Sequence, residues 1–184
     1  MKPPLRQGSP DDFQTPPYAL KPLLPHLNPK WTIWECACGK GNLVHELRRQ
    51  GFSVISTDLL TGKDFLNWQP EHFDCVITNP PYRYKQQFLE RCYELHKPFA
   101  LLLPLTTFET ARRQHLFKRH GVEVILLDRR IDFETPAPNP GSASWFATAW
   151  FTAHLDIGRQ LSFESIQNRP RLPHHGRRLL QAEM

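Results

Sequence analysis

Apolar positions change their period several times along this chain, and each change predicts an element. Trp31 to Cys36 reads as a strand of aromatic and β-branched residues. Asn42 to Gln50 repeats Leu43, Val44 and Leu47 at helical spacing and stops at Gly51. Strands follow at Phe52–Thr57 and Phe73–Thr78. Tyr84 to Leu95 has helical spacing at Phe88, Leu89, Cys92 and Leu95. Phe99 to Leu103 is a continuous apolar run, the signature of a strand buried on both faces. A helix over Thr107–His120 places Phe108, Ala111 and Leu116 inward. Two more strands, Val122–Leu127 and Trp145–Phe151, flank a loop carrying Pro136, Pro138 and Pro140.

Strands alternating with helices predict an α/β fold, a mostly parallel sheet with helices on both faces. The last two strands lack an intervening helix and are predicted to pair antiparallel. Residues 1–12 are polar and proline-rich and read as a flexible leader. Residues 13–155 form one domain, and 156–184 read as a basic arm or tail without apolar periodicity.

The chain has 184 residues, a net charge of +5 and four cysteines. That length suits a single domain. The run from Arg169 to Met184 holds Arg169, Arg171, Arg177 and Arg178 against one Glu, so more than half of the net charge lies there. Such a tail suits a polyanionic partner or a solvated terminus. No signal-peptide pattern and no membrane-length apolar run is visible, so a cytoplasmic protein is expected. The spacing Cys36-Ala37-Cys38 has no matching second pair, which speaks against a zinc site, and no metal is expected.

Candidate chemistry gathers where ligands bind in open α/β sheets, beyond the carboxyl ends of the strands. Gly39-Lys40-Gly41 follows the first strand and Asp58 ends the second. The turn lacks the third glycine of a dinucleotide fingerprint and the Gly-Lys-Ser/Thr ending of a phosphate loop. Glu35 just before it suits a cationic ligand, and Asp58 suits ribose hydroxyls. S-adenosylmethionine carries both groups. A purely structural turn with surface acids fits those residues as well.

Asp64 could accept from an adenine amino group and Phe65 could cover the ring. Asn79-Pro80-Pro81-Tyr82 ends the third strand in a stiff turn, because proline restricts itself and the residue before it. A fixed Asn oxygen and a neighbouring carbonyl can accept both protons of a planar amino group. That favours charge development on its nitrogen as it attacks a methyl sulfonium. Tyr82 can stack on a flat substrate.

These runs resemble the class I S-adenosylmethionine-dependent methyltransferases, and most of all those acting on the adenine amino group of DNA. Glu35-Cys36-Ala37-Cys38-Gly39-Lys40-Gly41 resembles the family's cofactor motif, and Asn79-Pro80-Pro81-Tyr82 its catalytic motif. Phe13-Gln14-Thr15-Pro16 resembles the N-terminal cofactor element of members that carry the cofactor motif first.

The resemblance implies a Rossmann-like, mostly parallel seven-stranded sheet with an antiparallel last strand. It implies a cofactor site drawn from Phe13, Thr15, Pro16, Glu35, Ala37, Cys38, Gly39, Gly41, Asp58, Leu59, Asp64, Phe65 and Asn79. Asn79, Pro80, Pro81 and Tyr82 would be catalytic. Arg83 and Lys85, beside the catalytic turn, join the tail arginines as candidates for phosphate contacts. The implied partners are DNA and a recognition subunit or second copy. An RNA base, a protein glutamine amide and a non-catalytic binding subunit are the competing readings.

Overall fold

The computed structural model describes residues 13–134 and 146–166. The leader 1–12, most of the proline-rich loop and the arginines at 169, 171, 177 and 178 lie outside the described residues.

The strands are β1 (Thr32–Glu35), β2 (Ser53–Ser56), β3 (Cys75–Thr78), β4 (Phe99–Pro104), β5 (Glu123–Leu127), β6 (Thr148–Ala153) and β7 (Leu161–Glu164). They form one seven-stranded sheet in the order β2-β1-β3-β4-β6-β5-β7. β2, β1, β3 and β4 pair in parallel. β6 runs antiparallel to both β4 and β5, and β7 runs parallel to β5. This is the Rossmann-like sheet of the class I methyltransferase fold, with its reversed strand one before the end of the chain order.

The strand read as last and antiparallel is β6, and it pairs antiparallel with β5 as expected. One point differs from the sequence reading: a further strand, β7, forms from residues placed in the tail, and its register sets Val124 beside Leu161 and Leu127 beside Glu164.

Alternation across the pleat divides the core into two layers. Ile33, Cys75, Ile77, Ala100 and Leu102 face one side. They meet Leu43 and Leu47 of α1 (Asn42–Arg49) and Ala19, Leu20 and Leu23 from the N-terminal 3-10 turns. Trp34, Val76, Phe99, Leu101 and Leu103 face the other side. They meet Phe88, Leu89 and Cys92 of α2 (Lys85–Glu94) and Phe117 of α3 (Ala111–His120). The two layers explain why β4 is apolar throughout: all six of its residues are buried. Cys36, Cys75 and Cys92 are buried, and burial pushes their thiols up, so they pack as small apolar groups. No helix among the described residues is long and apolar enough to cross a membrane.

α3 starts later than the spacing suggests. Leu105–Glu109 is a 3-10 turn, and Thr110 caps the helix by accepting from the Arg113 amide. Ala111 is therefore exposed. Arg113 is 9% exposed and donates to the carbonyls of Thr106 and Thr107. Its guanidinium thereby ties the start of α3 to the 3-10 turn before it.

Candidate active site

β2, β1 and β3 are adjacent and parallel, so their carboxyl ends lie on one edge of the sheet. Glu35, Asp58 and Asn79 stand at or just past those ends. This is the crevice where open α/β sheets hold ligands.

The glycine turn accounts for all its amides. Ala37 N–H donates to Glu35 Oε1 (3.1 Å) and Cys38 N–H to the Thr57 carbonyl (3.1 Å). Gly39 N–H donates to Asp58 Oδ2 (3.0 Å) and Lys40 N–H to Gln14 Oε1 (2.9 Å). Gly41 N–H donates to the Cys38 carbonyl (2.7 Å). A phosphate cradle needs a row of free amides. Here five consecutive amides are taken, two of them by carboxylates. The turn therefore disfavours a phosphate and favours a cationic or hydroxylated ligand.

Gly39 (φ +48°) and Gly41 (φ +84°) adopt left-handed backbone that glycine tolerates. The Gln14 side chain also fills the space where a Cβ on Gly39 would stand, with its Nε2 2.7 Å from that point.

The two acids differ in environment. Glu35 is 1% exposed, and burial pushes its carboxyl up to about 7. The Thr78 hydroxyl and the Ala37 amide pull the other way, and the Asp58 charge adds to the rise. Asp58 is half-buried and caps a 3-10 turn, accepting from Leu60 N–H at 2.9 Å. Leu59 beside it is exposed. Asp64 is engaged locally, accepting from Leu66 N–H and the Asn67 side chain. Phe65 is 2% exposed and stacks on Phe88 at 4.6 Å, so its ring belongs to the layer under the crevice.

At the end of β3, Asn79 is half-buried and its Nδ2 donates to the Phe13 carbonyl (2.9 Å). Its Oδ1 is buried and has no hydrogen-bond partner among the described residues. An unpartnered buried acceptor is costly in a folded chain, and this one is available to a donor. Pro80 is buried and Pro81 half-buried. Tyr82 stacks on Phe13 (centroids 5.7 Å) and meets Phe146 edge-on (5.5 Å). Phe133 completes this aromatic wall by contacts with Phe13 and Phe146. Lys85 Nζ donates to the Tyr82 carbonyl, and Arg83 is exposed over the Tyr84 ring.

The N-terminal element joins these parts. Gln14 pairs with Glu134 by two backbone hydrogen bonds (3.0 and 3.1 Å). Thr15 and Pro16 are buried behind it. Three participants were missed in the sequence: Gln14, Phe133 and Phe146. Phe133 and Phe146 lie on either side of the proline-rich loop at the carboxyl edge of the sheet. That placement was the available signal, because such loops carry ligand contacts.

The fold is that of the class I methyltransferases, and a solved protein shares it. A modification subunit of a putative type I restriction enzyme from Vibrio vulnificus YJ016 is similar with a TM-score of 0.52 and 16% identity, over 79% of this chain and 45% of that one. The chain thus spans under half of that subunit. A putative RNA methyltransferase from Pyrococcus horikoshii is similar with a TM-score of 0.46 and 15% identity, over 66% of this chain and 72% of that one. No family model and no curated protein matches the sequence.

Proposed function

We propose that the protein is an S-adenosylmethionine-dependent methyltransferase acting on the exocyclic amino group of adenine in DNA. The observation that carries this reading is Asn79: a buried acceptor without a partner among the described residues, at the sheet edge that also holds Glu35 and Asp58. The crevice residues fit the cofactor. Glu35 would hold its ammonium, Asp58 its ribose hydroxyls, and the exposed Leu59 would offer an apolar surface to its adenine.

S-adenosylmethionine, when bound, supplies an electrophilic methyl that passes to the amino nitrogen as the N–C bond forms and the C–S bond breaks. The chain's own residues prepare that nitrogen. Asn79 Oδ1 accepts one amino proton, and the Pro80 carbonyl is assigned the other. Two acceptors stabilise positive charge growing on the nitrogen until its extra proton leaves to solvent. Tyr82 and the phenylalanines around it provide a wall on which a planar base stacks, the way enzymes hold a base taken out of the helix. Arg83 is exposed beside the catalytic turn, where phosphates flanking such a base would pass.

The test is nucleoside mass spectrometry after incubating the chain with S-adenosylmethionine and unmethylated DNA. Methyladenine should form with the wild type. Asn79→Ala should lower its formation at least about a hundredfold, the loss typical of one preorganised polar group, with cofactor affinity nearly unchanged. Full activity in Asn79→Ala overturns the mechanism. Methylation of RNA or of a protein glutamine amide in place of DNA overturns the substrate.

A further inference from the structure

The Asn79 amide can face the crevice with either its oxygen or its nitrogen. Only the oxygen can accept an amino proton. The choice is made by Phe13: its carbonyl can only accept, so the atom turned to it at 2.9 Å is Nδ2. Oδ1 is thereby the atom left without a hydrogen-bond partner among the described residues. Phe13 itself is held through its neighbour. Gln14 is 8% exposed, pairs with the Glu134 backbone on one side, and reaches Lys40 N–H in the glycine turn with its side chain. The same Phe13 ring stacks on Tyr82.

We propose that Phe13 and Gln14 form a positioning strap that links the cofactor turn to the orientation of the Asn79 amide. The glycine turn anchors Gln14 Oε1, Gln14 fixes the Phe13 carbonyl, and that carbonyl selects the oxygen of Asn79 as the group presented to substrate. Gln14 is a positioning residue and needs no contact with cofactor or base. A further consequence is coupling. A ligand that shifts the glycine turn shifts the anchor of the strap, so the cofactor and amino sites report on each other.

The role in turnover rests on the reading of Asn79 as the acceptor of a substrate amino proton. The structural part does not, and the experiment separates them. Gln14→Met keeps the side chain's length and removes its acceptor. Gln14→Glu keeps an acceptor oxygen for Lys40 N–H. The first readout is hydrogen exchange of the Asn79 side-chain amide in ¹⁵N-asparagine protein, assigned with Asn79→Asp. The second is kcat for methyl transfer alongside KM for the cofactor.

Gln14→Met should speed exchange of the Asn79 amide and lower kcat, each about tenfold, as for loss of one hydrogen bond. KM for the cofactor should change less than kcat, and Gln14→Glu should restore both readouts. Wild-type exchange and kcat in folded Gln14→Met overturn the proposal. Equal losses in both variants overturn it too, because the acceptor atom then has no special part. Exchange that follows this pattern in a chain that transfers no methyl supports the strap and removes the proposed function instead.

Discussion

Glu35 shows how one residue can carry the pH dependence of the site. Burial raises its carboxyl from an ordinary 4.5 to about 7, so the folded chain holds that proton more tightly than the unfolded chain. The stability linked to it is complete below the unfolded value and is lost as the pH rises through about 7. Glu35→Gln resembles the protonated form and should remove this loss. Its thermal midpoint relative to wild type should climb from about pH 5 to about pH 8; parallel curves would contradict the assignment. A cation beside Glu35 reverses the penalty. Cofactor affinity should therefore rise with pH through neutrality, and calorimetry in buffers of different ionisation heat should show a proton released on binding.

Gly39 is the second informative residue. An alanine there meets Gln14 at 2.7 Å and must hold a left-handed backbone. Gly39→Ala should cost about 1–2 kcal/mol from the backbone alone, with more from displacing Gln14. Combining it with Gln14→Ala removes the collision, so denaturant melts should show the double variant losing less than the sum of the singles. Strict additivity would mean that Gln14 does not occupy that space.

At the scale of elements, the parallel strands were legible because buried strands carry unbroken apolar runs, as in Phe99–Leu103. The glycine turn and the Asn-Pro-Pro-Tyr turn were legible because local chemistry fixes both. β7 was not. Its four residues alternate, but Leu161 and Phe163 point outward at 49% and 75% exposed, so no buried face advertised it. Its evidence is the pairing with β5, which no local pattern encodes. The start of α3 was missed for a related reason: Arg113 reads as a surface residue unless the carbonyls it satisfies are known.

β7 also covers the backbone edge of β5. Ending the chain after Gly158 removes β7 and exposes that edge. The shortened chain should melt at lower temperature and self-associate, as unprotected edges do. Light scattering and a thermal melt check this, and unchanged behaviour would assign β7 no structural part.

For the whole molecule, the sheet brings residues far apart in sequence to one edge. Phe13, Glu35, Asp58, Asn79, Phe133 and Phe146 reach it from separate segments, and only those in local motifs could be foreseen. Phe133 and Phe146 needed the sheet order to bring them to Phe13 and Tyr82. The central claim is that this edge holds a sulfonium cofactor rather than a phosphate.

Titration calorimetry of the purified chain tests that claim most directly, with S-adenosylmethionine in one experiment and ATP or a nicotinamide dinucleotide in another. The account predicts one S-adenosylmethionine bound per chain, weakened by Asp58→Ala, and no heat from the phosphate ligands. Tight binding of ATP or the dinucleotide, with S-adenosylmethionine silent, would contradict it.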